Sequence, residues 1–406
     1  MLRFDIVSQG EEIVSGSLVD TNASRVCSAL CAAGLVPGRI TCVGDILADI
    51  RDVLAEAARR SAVVVCTGGL GPTSDDLTAE AAADAFGRGL YEDAVALAQI
   101  EARYASRSRP MPPRNRKQAL LPEGAIVLEN HLGTAPGFTM DVGGALLFFL
   151  PGPPFEMTPM LDEHVLPRVR ERHALPKRRS VHLRCIGIAE SVAAQKMDGF
   201  ERDGVVVGYR AALPEIHVKL HLDPGVHADP LIDEAKARLG DVVFGVDSGP
   251  LADVCADHLR RRGETLATAE SCTAGRIAAA ITQFPGSSEV FLGGSVVYAN
   301  AEKVRQCGVD PALIEAHGAV SEPVARAHAE GVRERTGATW GLATTGVAGP
   351  AGGTDEKPVG TVHVALAGPD GTRHRRLHLP YDRERVLAFS TGTALDLLRR
   401  AIESGR

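Results

Sequence analysis

A hydroxyl, a thiol and a second hydroxyl follow one another in a single predicted turn of this chain: Ser271, Cys272 and Thr273. The turn lies in LATAESCTAGR, residues 266–276, where a short apolar segment ends and an alanine-rich segment begins. This pattern predicts a strand, a tight turn and a helix whose free N–H groups would face an anion. Ser271 could be a nucleophile there, but serine and threonine are also the usual helix caps. If Ser271 is catalytic, capping falls to Thr273 and the backbone.

A nucleophilic serine needs a base, and Lys303 is the candidate. It lies three residues after Asn300, in the first turn of a predicted helix that follows another predicted strand. A desolvated lysine there could have its pKa lowered enough to take the proton of the serine. Pairs of serine and lysine hydrolyse amides without a histidine. Taken alone, Lys303 is also explained as a solvated helix residue.

A glycine-rich loop, residues 346–353, follows a further predicted strand and offers backbone N–H groups to an oxyanion or a phosphate. Thr344 and Thr345 end that strand, and the hydroxyl of Tyr298 is expected near the same mouth of the sheet. Each feature alone has an ordinary structural explanation. Because all of them are predicted at one end of one sheet, together they favour a catalytic site. The glycines of the loop that we expect at this site are Gly346, Gly349, Gly352 and Gly353.

A second glycine-rich loop, TGGLGPTSDD at residues 67–76, follows a short apolar segment that predicts a buried strand. Its glycines let the backbone approach an anion closely. Asp75 and Asp76 could then hold a divalent cation that bridges phosphoryl groups. The alternative is a flexible turn whose aspartates cap the helix that starts at Leu77. The position of the loop at the end of a buried strand favours a binding site.

The elements that must hold these loops alternate between strand and helix. Apolar segments at residues 4–8, 40–43 and 62–66 predict strands, with helical segments between them, and a similar alternation starts near residue 251. The fold class predicted is therefore α/β, with two open-sheet domains in which parallel strands carry ligands beyond their carboxyl ends. Between these two domains, predicted strands at 181–186 and 216–222 and a predicted helix near 190–197 indicate a small α+β module.

Composition excludes several classes of protein. The 406 residues are 45% hydrophobic and 23% charged, which is typical of a soluble globular protein of two or three domains. A net charge of −7 argues against a dedicated nucleic-acid binder. No apolar segment approaches the roughly 20 residues that span a bilayer, and the first residues lack a signal-peptide pattern. The eight scattered cysteines are typical of thiols in a reducing cytosol, so we expect a cytoplasmic protein.

The first 170 residues resemble the molybdopterin-binding-like domain of the CinA family. The resemblance rests on GEEIVSGSLVDTN, TGGLGPTSDDLTAEA, NRKQALLPEGA, GTAPGF and LPGPPFEM, in that order. It implies a metal-dependent ADP-ribose pyrophosphatase that uses Mg, Mn or Co, with or without K. The metal ligands that it implies are Asp75, Asp76 and Asp45. The other cleft residues that it implies are Glu12, Asn22, Thr67, Gly68, Gly69, Asn115, Arg116, Lys117, Pro151, Gly152 and Glu156.

Residues 251–406 resemble the C-terminal domain of the same family through AESCTAG, GSVVYANAEKV, HGAVSEPVA, TGVAGPAGG and EKPVGTV. That domain also exists alone as a nicotinamide mononucleotide deamidase that needs no cofactor. The resemblance implies that Ser271 is the nucleophile, Lys303 its base, and that Tyr298 and Thr345 position or stabilise the transition state. Arg383 falls where the family has a phosphate-contacting arginine. Tyr381 replaces the usual glycine beside it, which leaves the shape of that loop open.

Residues 171–250 match the small KH-like module of the family, after a charged linker at residues 171–179. A GXXG loop and interleaved basic and aromatic residues are missing, so RNA binding is not expected. A structural or dimer-forming module is favoured. The partners expected are small-molecule nucleotides and a second copy of the chain, without a membrane. The rival interpretation is a non-catalytic protein that binds a molybdopterin-like ligand and a partner in recombination or DNA uptake.

Overall fold

The computed structural model describes residues 2–173 and 179–404. The chain divides into two compact units, Met1–Arg179 and Ser180–Arg406. The linker predicted for residues 171–179 falls mostly on residues 174–178, outside the described residues. The middle module and the C-terminal segment therefore belong to one unit. In the part of the chain that the structure describes, no helix has both the length and the apolarity to cross a membrane.

The first unit is built on a six-stranded sheet with the order β2-β1-β3-β8-β7-β6. Strand β3, with the sequence VVVCT, is buried along its whole length, as its β-branched residues favour. The strands of this sheet are β1 (Arg3–Gln9), β2 (Val36–Val43), β3 (Val63–Thr67), β6 (Ile126–Leu128), β7 (Gly137–Val142) and β8 (Ala145–Leu150). Strands β4 (Leu90–Glu92) and β5 (Leu120–Pro122) form a separate pair. Its helices are α1 (Glu11–Val14), α2 (Thr21–Ala32), α3 (Leu47–Arg60), α4 (Thr78–Ala85), α5 (Ala94–Ser106), α6 (Pro154–Met160) and α7 (Leu166–Arg172), with a 3₁₀ turn at Pro113–Ala119 and a π turn at Leu161–Val165.

The sheet of the first unit is mixed, which corrects the prediction of a parallel sheet. Strands β2, β1, β3 and β8 are parallel, but β7 runs antiparallel to both β8 and β6. The reason is the two-residue connection of Gly143 and Gly144, whose positive φ angles of 59° and 90° suit a tight hairpin. The four parallel strands still bring their carboxyl ends to one edge, where the glycine-rich loop at residues 67–76 begins.

The second unit begins with a four-stranded sheet of order β10-β11-β9-β12, in which β10 is antiparallel to β11 and β12 is antiparallel to β9. The strands predicted at 181–186 and 216–222 and the helix between them are confirmed, whereas β10, β12 and α9 were not predicted. The elements are β9 (Arg179–Ile186), α8 (Glu190–Lys196), β10 (Val205–Ala212), β11 (Glu215–Leu222), α9 (Ala228–Leu239) and β12 (Val243–Val246).

The remainder of the second unit is a five-stranded sheet of order β14-β13-β15-β16-β17, in which β14, β13 and β15 are parallel. Strands β16 and β17 are antiparallel to their neighbours. The strands are β13 (Leu266–Glu270), β14 (Phe291–Val296), β15 (Trp340–Gly346), β16 (Thr361–Gly368) and β17 (Gly371–His378). The helices are α10 (Leu251–Arg262), α11 (Arg276–Thr282), α12 (Asn300–Cys307), α13 (Pro311–His317), α14 (Glu322–Thr336) and α15 (Arg383–Ser404), with a 3₁₀ turn at Ser287–Glu289.

Helix α14 packs closely against both the sheet and helix α12 because small residues line the contact. Ala267, Ala269 and Ala343 of the sheet are buried against Ala325 and Ala329 of α14. A Cβ added at Gly331 would overlap the carbonyl oxygen of Cys307, the last residue of α12. The spacing between the two helices therefore depends on the absence of a side chain at position 331.

We predict that Gly331→Ala lowers the free energy of unfolding by about 1–3 kcal/mol, the usual cost of overpacking. An alanine ordinarily stabilises a helix relative to glycine, so the expected sign is the opposite of the intrinsic preference. Denaturant unfolding measures the change. Glu334→Ala on the same helix is the control and should change stability by less than about 0.5 kcal/mol. A stabilised Gly331→Ala protein would contradict the packing argument.

Candidate functional site

The turn after β13 is held by the carboxylate of Glu270, a residue that is 1% exposed. This carboxylate accepts hydrogen bonds from the backbone N–H groups of Gly275, Ile277 and Ala278, at 2.9, 3.1 and 2.8 Å. The prediction that Thr273 caps the helix is therefore wrong. These N–H groups at the start of α11 are therefore bound to a carboxylate of the protein itself, and they are not open to a bound anion as the sequence suggested.

Thr273 instead supports Glu270. Its hydroxyl donates to the Glu270 carboxylate at 2.8 Å and lies 2.7 Å from the hydroxyl of Thr344. Because Thr273 has one hydroxyl hydrogen, Thr344 must donate the second of these bonds. The turn is thereby joined to the neighbouring strand β15 through buried groups. Ser271 is free of any capping role.

Ser271 and Lys303 meet as predicted. The Lys303 Nζ lies 3.3 Å from the Ser271 Oγ, and it donates to the carbonyl oxygens of Val297 and Tyr298 at 2.8 and 3.0 Å. Lys303 is only 2% exposed and Ser271 only 8%. Burial lowers the pKa of Lys303, and no carboxylate is among the described groups that shift it. The arrangement can supply a neutral amine beside a hydroxyl, which is the requirement for a Ser–Lys nucleophile.

Arg383 joins two of the other predicted residues. Its guanidinium donates to the Gly349 carbonyl at 2.9 Å and to the Tyr298 hydroxyl at 3.3 Å. Tyr298 is 60% exposed, so its ring lies at the surface of the site. Arg383 is the first residue of α15, directly after the segment that contains Tyr381. A cation beside the glycine-rich loop is suited to a phosphate group.

Two of the predicted side chains are engaged by the protein itself. The Thr345 hydroxyl donates to the Ala319 carbonyl at 2.9 Å, and its side chain is buried. Its hydrogen is therefore used to hold the segment that precedes α14. Cys272 is also buried, which raises the pKa of its thiol to about 11 and keeps it protonated at neutral pH.

The glycines of residues 346–353 serve packing and turn geometry. A Cβ at Gly346 would lie 2.7 Å from the Val362 side chain, and one at Gly353 would lie 2.7 Å from the Val359 nitrogen. Gly349 and Gly352 have φ angles of 81° and 91°, which favour glycine. These positions therefore have structural reasons for glycine, whether or not their N–H groups also bind a ligand.

His328 of α14 was not recognised from the sequence. It is fully buried, and both of its ring nitrogens lack a hydrogen-bond partner among the described residues. Burial, with a smaller contribution from Lys303, lowers its pKa to about 3. The neutral imidazole therefore adds no positive charge to the surroundings of Lys303. A histidine within a helical pattern gives no sequence signal of this kind, because its neighbours come from other elements.

The first unit has a separate cleft of about 480 Å³ at the carboxyl ends of its parallel strands. Most of the residues predicted there do line it. They are Glu12, Asn22, Asp45, Thr67, Gly68, Gly69, Asp75, Asp76, Pro151, Gly152 and Glu156. Gln9 and Gln118 also line the cleft and were not predicted.

The glycine-rich loop of this cleft lies directly against the end of β1. A Cβ at Gly68 would overlap the Gln9 carbonyl oxygen, and one at Gly69 would overlap the side chains of Gln9 and Thr78. Both glycines also have positive φ angles, of 101° and 65°. The loop therefore needs glycine for its own close packing as well as for an open floor to the cleft.

The basic segment at residues 115–117 does not line this cleft, which corrects the prediction. Asn115 is buried and donates to the Gln118 side chain at 2.9 Å, whereas Arg116 forms an ion pair with Glu92. Lys117 donates to the Thr73 carbonyl at 3.0 Å and lies 3.6 Å from Glu80. The reason is the 3₁₀ turn at Pro113–Ala119, since three residues per turn send successive side chains in three directions.

The carboxylates expected to bind a metal line the cleft but are spread along it. Asp45 accepts from the Gln9 side chain at 2.9 Å and from the Glu11 N–H at 3.1 Å. Asp76 accepts from the Thr73 backbone N–H at 2.8 Å and from its hydroxyl, and a Thr73 hydrogen bond lowers the pKa of Asp75. In residues 2–173 and 179–404 no three acidic, histidine or cysteine side chains form a ready ligand set.

The residues nevertheless fit a cation that arrives with a phosphorylated ligand. Mg²⁺ commonly takes one or two protein carboxylates and completes its shell with water and phosphate oxygens. Asp75 and Asp76 can provide the carboxylates. Asn22 adds evidence for a ligand: its Nδ2 donates to the Gly152 carbonyl at 2.7 Å, and its buried Oδ1 has no described partner.

Both halves of the chain match models of known protein families. Residues 249–402 match the CinA C-terminal domain, and residues 5–171 match the probable molybdopterin binding domain. A CinA-like protein of Anaeromyxobacter sp. (strain Fw109-5) is 44% identical over 408 residues, covering 99% of each chain. A CinA-like protein of Myxococcus xanthus is 44% identical over 413 residues, covering 98% of each. The chain belongs to the CinA family.

The family resemblance and the α/β fold class expected from the sequence are thus confirmed. Among solved structures, the competence/damage inducible protein CihA from Agrobacterium tumefaciens is 37% identical, covers 38% of this chain and 93% of its own, and has a TM-score of 0.37. The two CinA-like proteins of Anaeromyxobacter and Myxococcus match nearly the whole length of the chain.

We predict that His328→Leu stabilises the protein, and more so in acid. The unfolded state takes up a proton near pH 6.5, whereas the folded state does so only near pH 3, so wild-type stability falls as the pH drops through this interval. Between pH 8 and pH 5 the stability difference in favour of the variant should grow by about 2 kcal/mol, from about 1.4 kcal/mol per pH unit.

Denaturant unfolding between pH 5 and 8 measures this difference. The same substitution at His378, an exposed residue of β17, is the control for a change of histidine to leucine at the surface. Equal slopes of stability against pH in wild type and His328→Leu would contradict the assignment of His328 as a buried neutral imidazole.

Proposed function

We propose that the C-terminal domain hydrolyses the carboxamide of nicotinamide mononucleotide, giving nicotinate mononucleotide and ammonia. The observation that carries the proposal is the buried contact of Lys303 Nζ with Ser271 Oγ at 3.3 Å. We propose no cofactor for this reaction, because Ser–Lys pairs hydrolyse amides by themselves. A cytoplasmic homodimer also remains part of the proposal, and light scattering of the purified protein tests the oligomeric state.

In the first half of the reaction, the neutral Lys303 takes the proton of Ser271 as Oγ attacks the carboxamide carbon. The resulting ammonium group of Lys303 then gives a proton to the departing nitrogen, and the C–N bond breaks to release ammonia. An ester between Ser271 and the nicotinoyl group remains. The carbonyl oxygens of Val297 and Tyr298 hold the lysine nitrogen in place through both transfers.

In the second half, Lys303 takes a proton from water, which attacks the ester carbon. The proton returns to the Oγ of Ser271 as the ester bond breaks and nicotinate mononucleotide leaves. Arg383, beside Tyr298 and Gly349, has the charge and position to hold the phosphate of the substrate. Tyr298 would then position the arginine or contact the substrate at the mouth of the site.

We predict that Ser271→Ala abolishes ammonia release and that Lys303→Met lowers kcat at pH 7 by two or more orders of magnitude. Methionine keeps the length of the lysine side chain without a base. In the wild type, kcat should rise with pH along a limb that lies below the ordinary lysine pKa of 10.5, since burial lowers the pKa of Lys303.

An ammonia assay with nicotinamide mononucleotide measures these rates, and Ser288→Ala, at an exposed serine of the 3₁₀ turn, is the matched control. Full activity of Ser271→Ala would remove the nucleophile assignment. A pH profile unchanged in Lys303→Met would move the role of base to another group.

We also propose that the first unit hydrolyses ADP-ribose to AMP and ribose 5-phosphate with a divalent cation, Mg, Mn or Co, with or without K. The support is a cleft that combines a glycine-rich loop, spread carboxylates and the unpaired Asn22 oxygen. When bound, the cation would neutralise charge on the diphosphate, and Asp75 and Asp76 would hold it. Both proposed substrates arise when NAD is broken down, which gives one chain a reason to carry both activities.

We predict that Asp76→Asn abolishes metal-dependent ADP-ribose hydrolysis and weakens binding of Mn²⁺ in the presence of ADP-ribose at least tenfold, by loss of a charged ligand. Asparagine keeps the hydrogen-bond acceptor that organises the turn at Thr73. AMP formation and Mn²⁺ electron paramagnetic resonance are the two measurements. Asp84→Asn, on α4 outside the lining of the cleft, makes the same charge change as a control. Hydrolysis without added metal would refute the proposal.

A further inference from the structure

A row of polar residues crosses the C-terminal sheet at the edge that carries Ser271. Glu270 pairs with Thr344 across β13 and β15, so the next residues, Ser271 and Thr345, stand side by side. Thr345 in turn pairs with His363 of β16. With strands about 4.8 Å apart, His363 lies roughly 10 Å from Ser271 along this edge.

The row faces helix α14. Thr345 donates to the Ala319 carbonyl just before that helix. His374, which contacts His363, lies 3.3 Å from Glu322 in the first turn of α14. Lys303 belongs to α12, and α12 packs against α14 where Gly331 meets Cys307, so the proposed base of the nucleophile lies on this side of the sheet too. His363 therefore borders the same face of the sheet as the nucleophile and its base.

His363 is the end of a hydrogen-bonded relay, which we define as Glu322, His374 and His363. The His363 Nδ1 lies 2.9 Å from the His374 Nε2, and the His374 Nδ1 lies 3.3 Å from a Glu322 oxygen. The two rings are stacked with centroids 5.1 Å apart. Burial, and next the charges of His374, Arg376 and Lys357, lowers the pKa of His363 to about 4, against the opposing effect of Glu322.

The relay dictates which nitrogen of each ring carries hydrogen. Glu322 is ionised, because its contacts with Arg326 and His374 lower its pKa, and it therefore accepts from the His374 Nδ1–H. The neutral His374 then has a bare Nε2, which must accept from the His363 Nδ1–H. The Nε2 of His363 is left as an acceptor. It has no described protein partner, and it is not among the buried unpaired atoms, so solvent or a ligand reaches it.

From this geometry we infer that His363 is a specificity-determining residue of the proposed deamidase site, whose Nε2 accepts a hydrogen bond from a ribosyl hydroxyl of the substrate. The inference rests on the proposed deamidation at Ser271. His374 and Glu322 are positioning residues, since they act only through the tautomer of His363.

The chemistry of an acceptor selects the hydroxyl among the groups of the nucleotide. An ionised phosphate has no hydrogen to donate, and the carboxamide is held at Ser271. The ribosyl hydroxyls lie one pyridine ring and one glycosidic bond away from the carboxamide, which matches a separation of two strand spacings from the nucleophile. A site that presents a fixed acceptor discriminates against an analogue that lacks the hydroxyl, because the acceptor is then left unpaired.

The test compares nicotinamide mononucleotide with its 2′-deoxy and 3′-deoxy analogues in wild type, His363→Phe and His363→Gln. For the wild type, kcat/KM should fall about tenfold or more for one deoxy analogue. His363→Phe should lose a similar factor on the parent nucleotide, mainly through KM, and show no further loss on that analogue. His363→Gln, which keeps an acceptor, should recover part of the loss. Equal discrimination by wild type and His363→Phe would overturn the inference.

The relay has its own readout in the ¹⁵N resonances of the imidazole rings. At pH 7 the Nε2 of His363 should appear unprotonated in the wild type, should shift towards the protonated form in His374→Leu, and should return in His374→Gln. A tautomer that is unchanged in His374→Leu would overturn the role of the relay.

Binding to Ser271→Ala separates failure of this inference from failure of the proposed reaction. If the wild type releases no ammonia while Ser271→Ala still distinguishes the deoxy analogues by calorimetry, the reaction is wrong and the recognition by His363 stands. If ammonia is released but His363→Phe discriminates normally, the reaction stands and the recognition is wrong. Absence of both ammonia and nucleotide binding would refute both.

Discussion

The C-terminal domain depends on a buried lysine that has no carboxylate partner among the described residues. Among the described residues, the Lys303 amine hydrogen-bonds to the Ser271 hydroxyl and two backbone carbonyls, and burial lowers its pKa. A neighbouring carboxylate would favour the charged amine and remove the base. Burial lowers the pKa of His328 to about 3, so this neutral imidazole adds no charge to this environment.

Several distant segments must meet for that contact to form. The Glu270 carboxylate accepts from N–H groups at the start of α11, so Ser271 is not needed as a helix cap. Helix α12 places Lys303 in contact with Ser271. Gly331 lets α14 pack against Cys307 at the end of α12, the helix that carries Lys303. The same helix contributes Glu322 to the relay with His374 and His363. One packed helix therefore supports both the proposed base and the proposed recognition residue.

The cleft of the first unit, like the Ser271 site, lies at the carboxyl ends of parallel strands, but its residues suit a different chemistry. Parallel strands end at one edge, and a glycine-rich loop closes against β1 there. Its carboxylates are engaged by Gln9, Thr73 and backbone N–H groups, and they do not gather into a preformed metal site in the described residues. A ligand that carries its own phosphates fits such a site, because it can complete the shell of a cation.

By itself, the sequence determined the family, the α/β class and the approximate positions of most strands, because these follow from local periodicity and from motifs with fixed spacing. It also predicted that Ser271 and Lys303 lie at one end of one sheet, and the fold brings them into contact. It could not determine that Glu270 caps α11, that Asn115 and Arg116 pair outside the lining of their cleft, or that His363 meets His374. Those results depend on strand register, on a 3₁₀ turn and on contacts between residues far apart in the chain. Only tertiary packing decides which side chains face one another, because burial and pairing are properties of the folded neighbourhood and not of the local pattern.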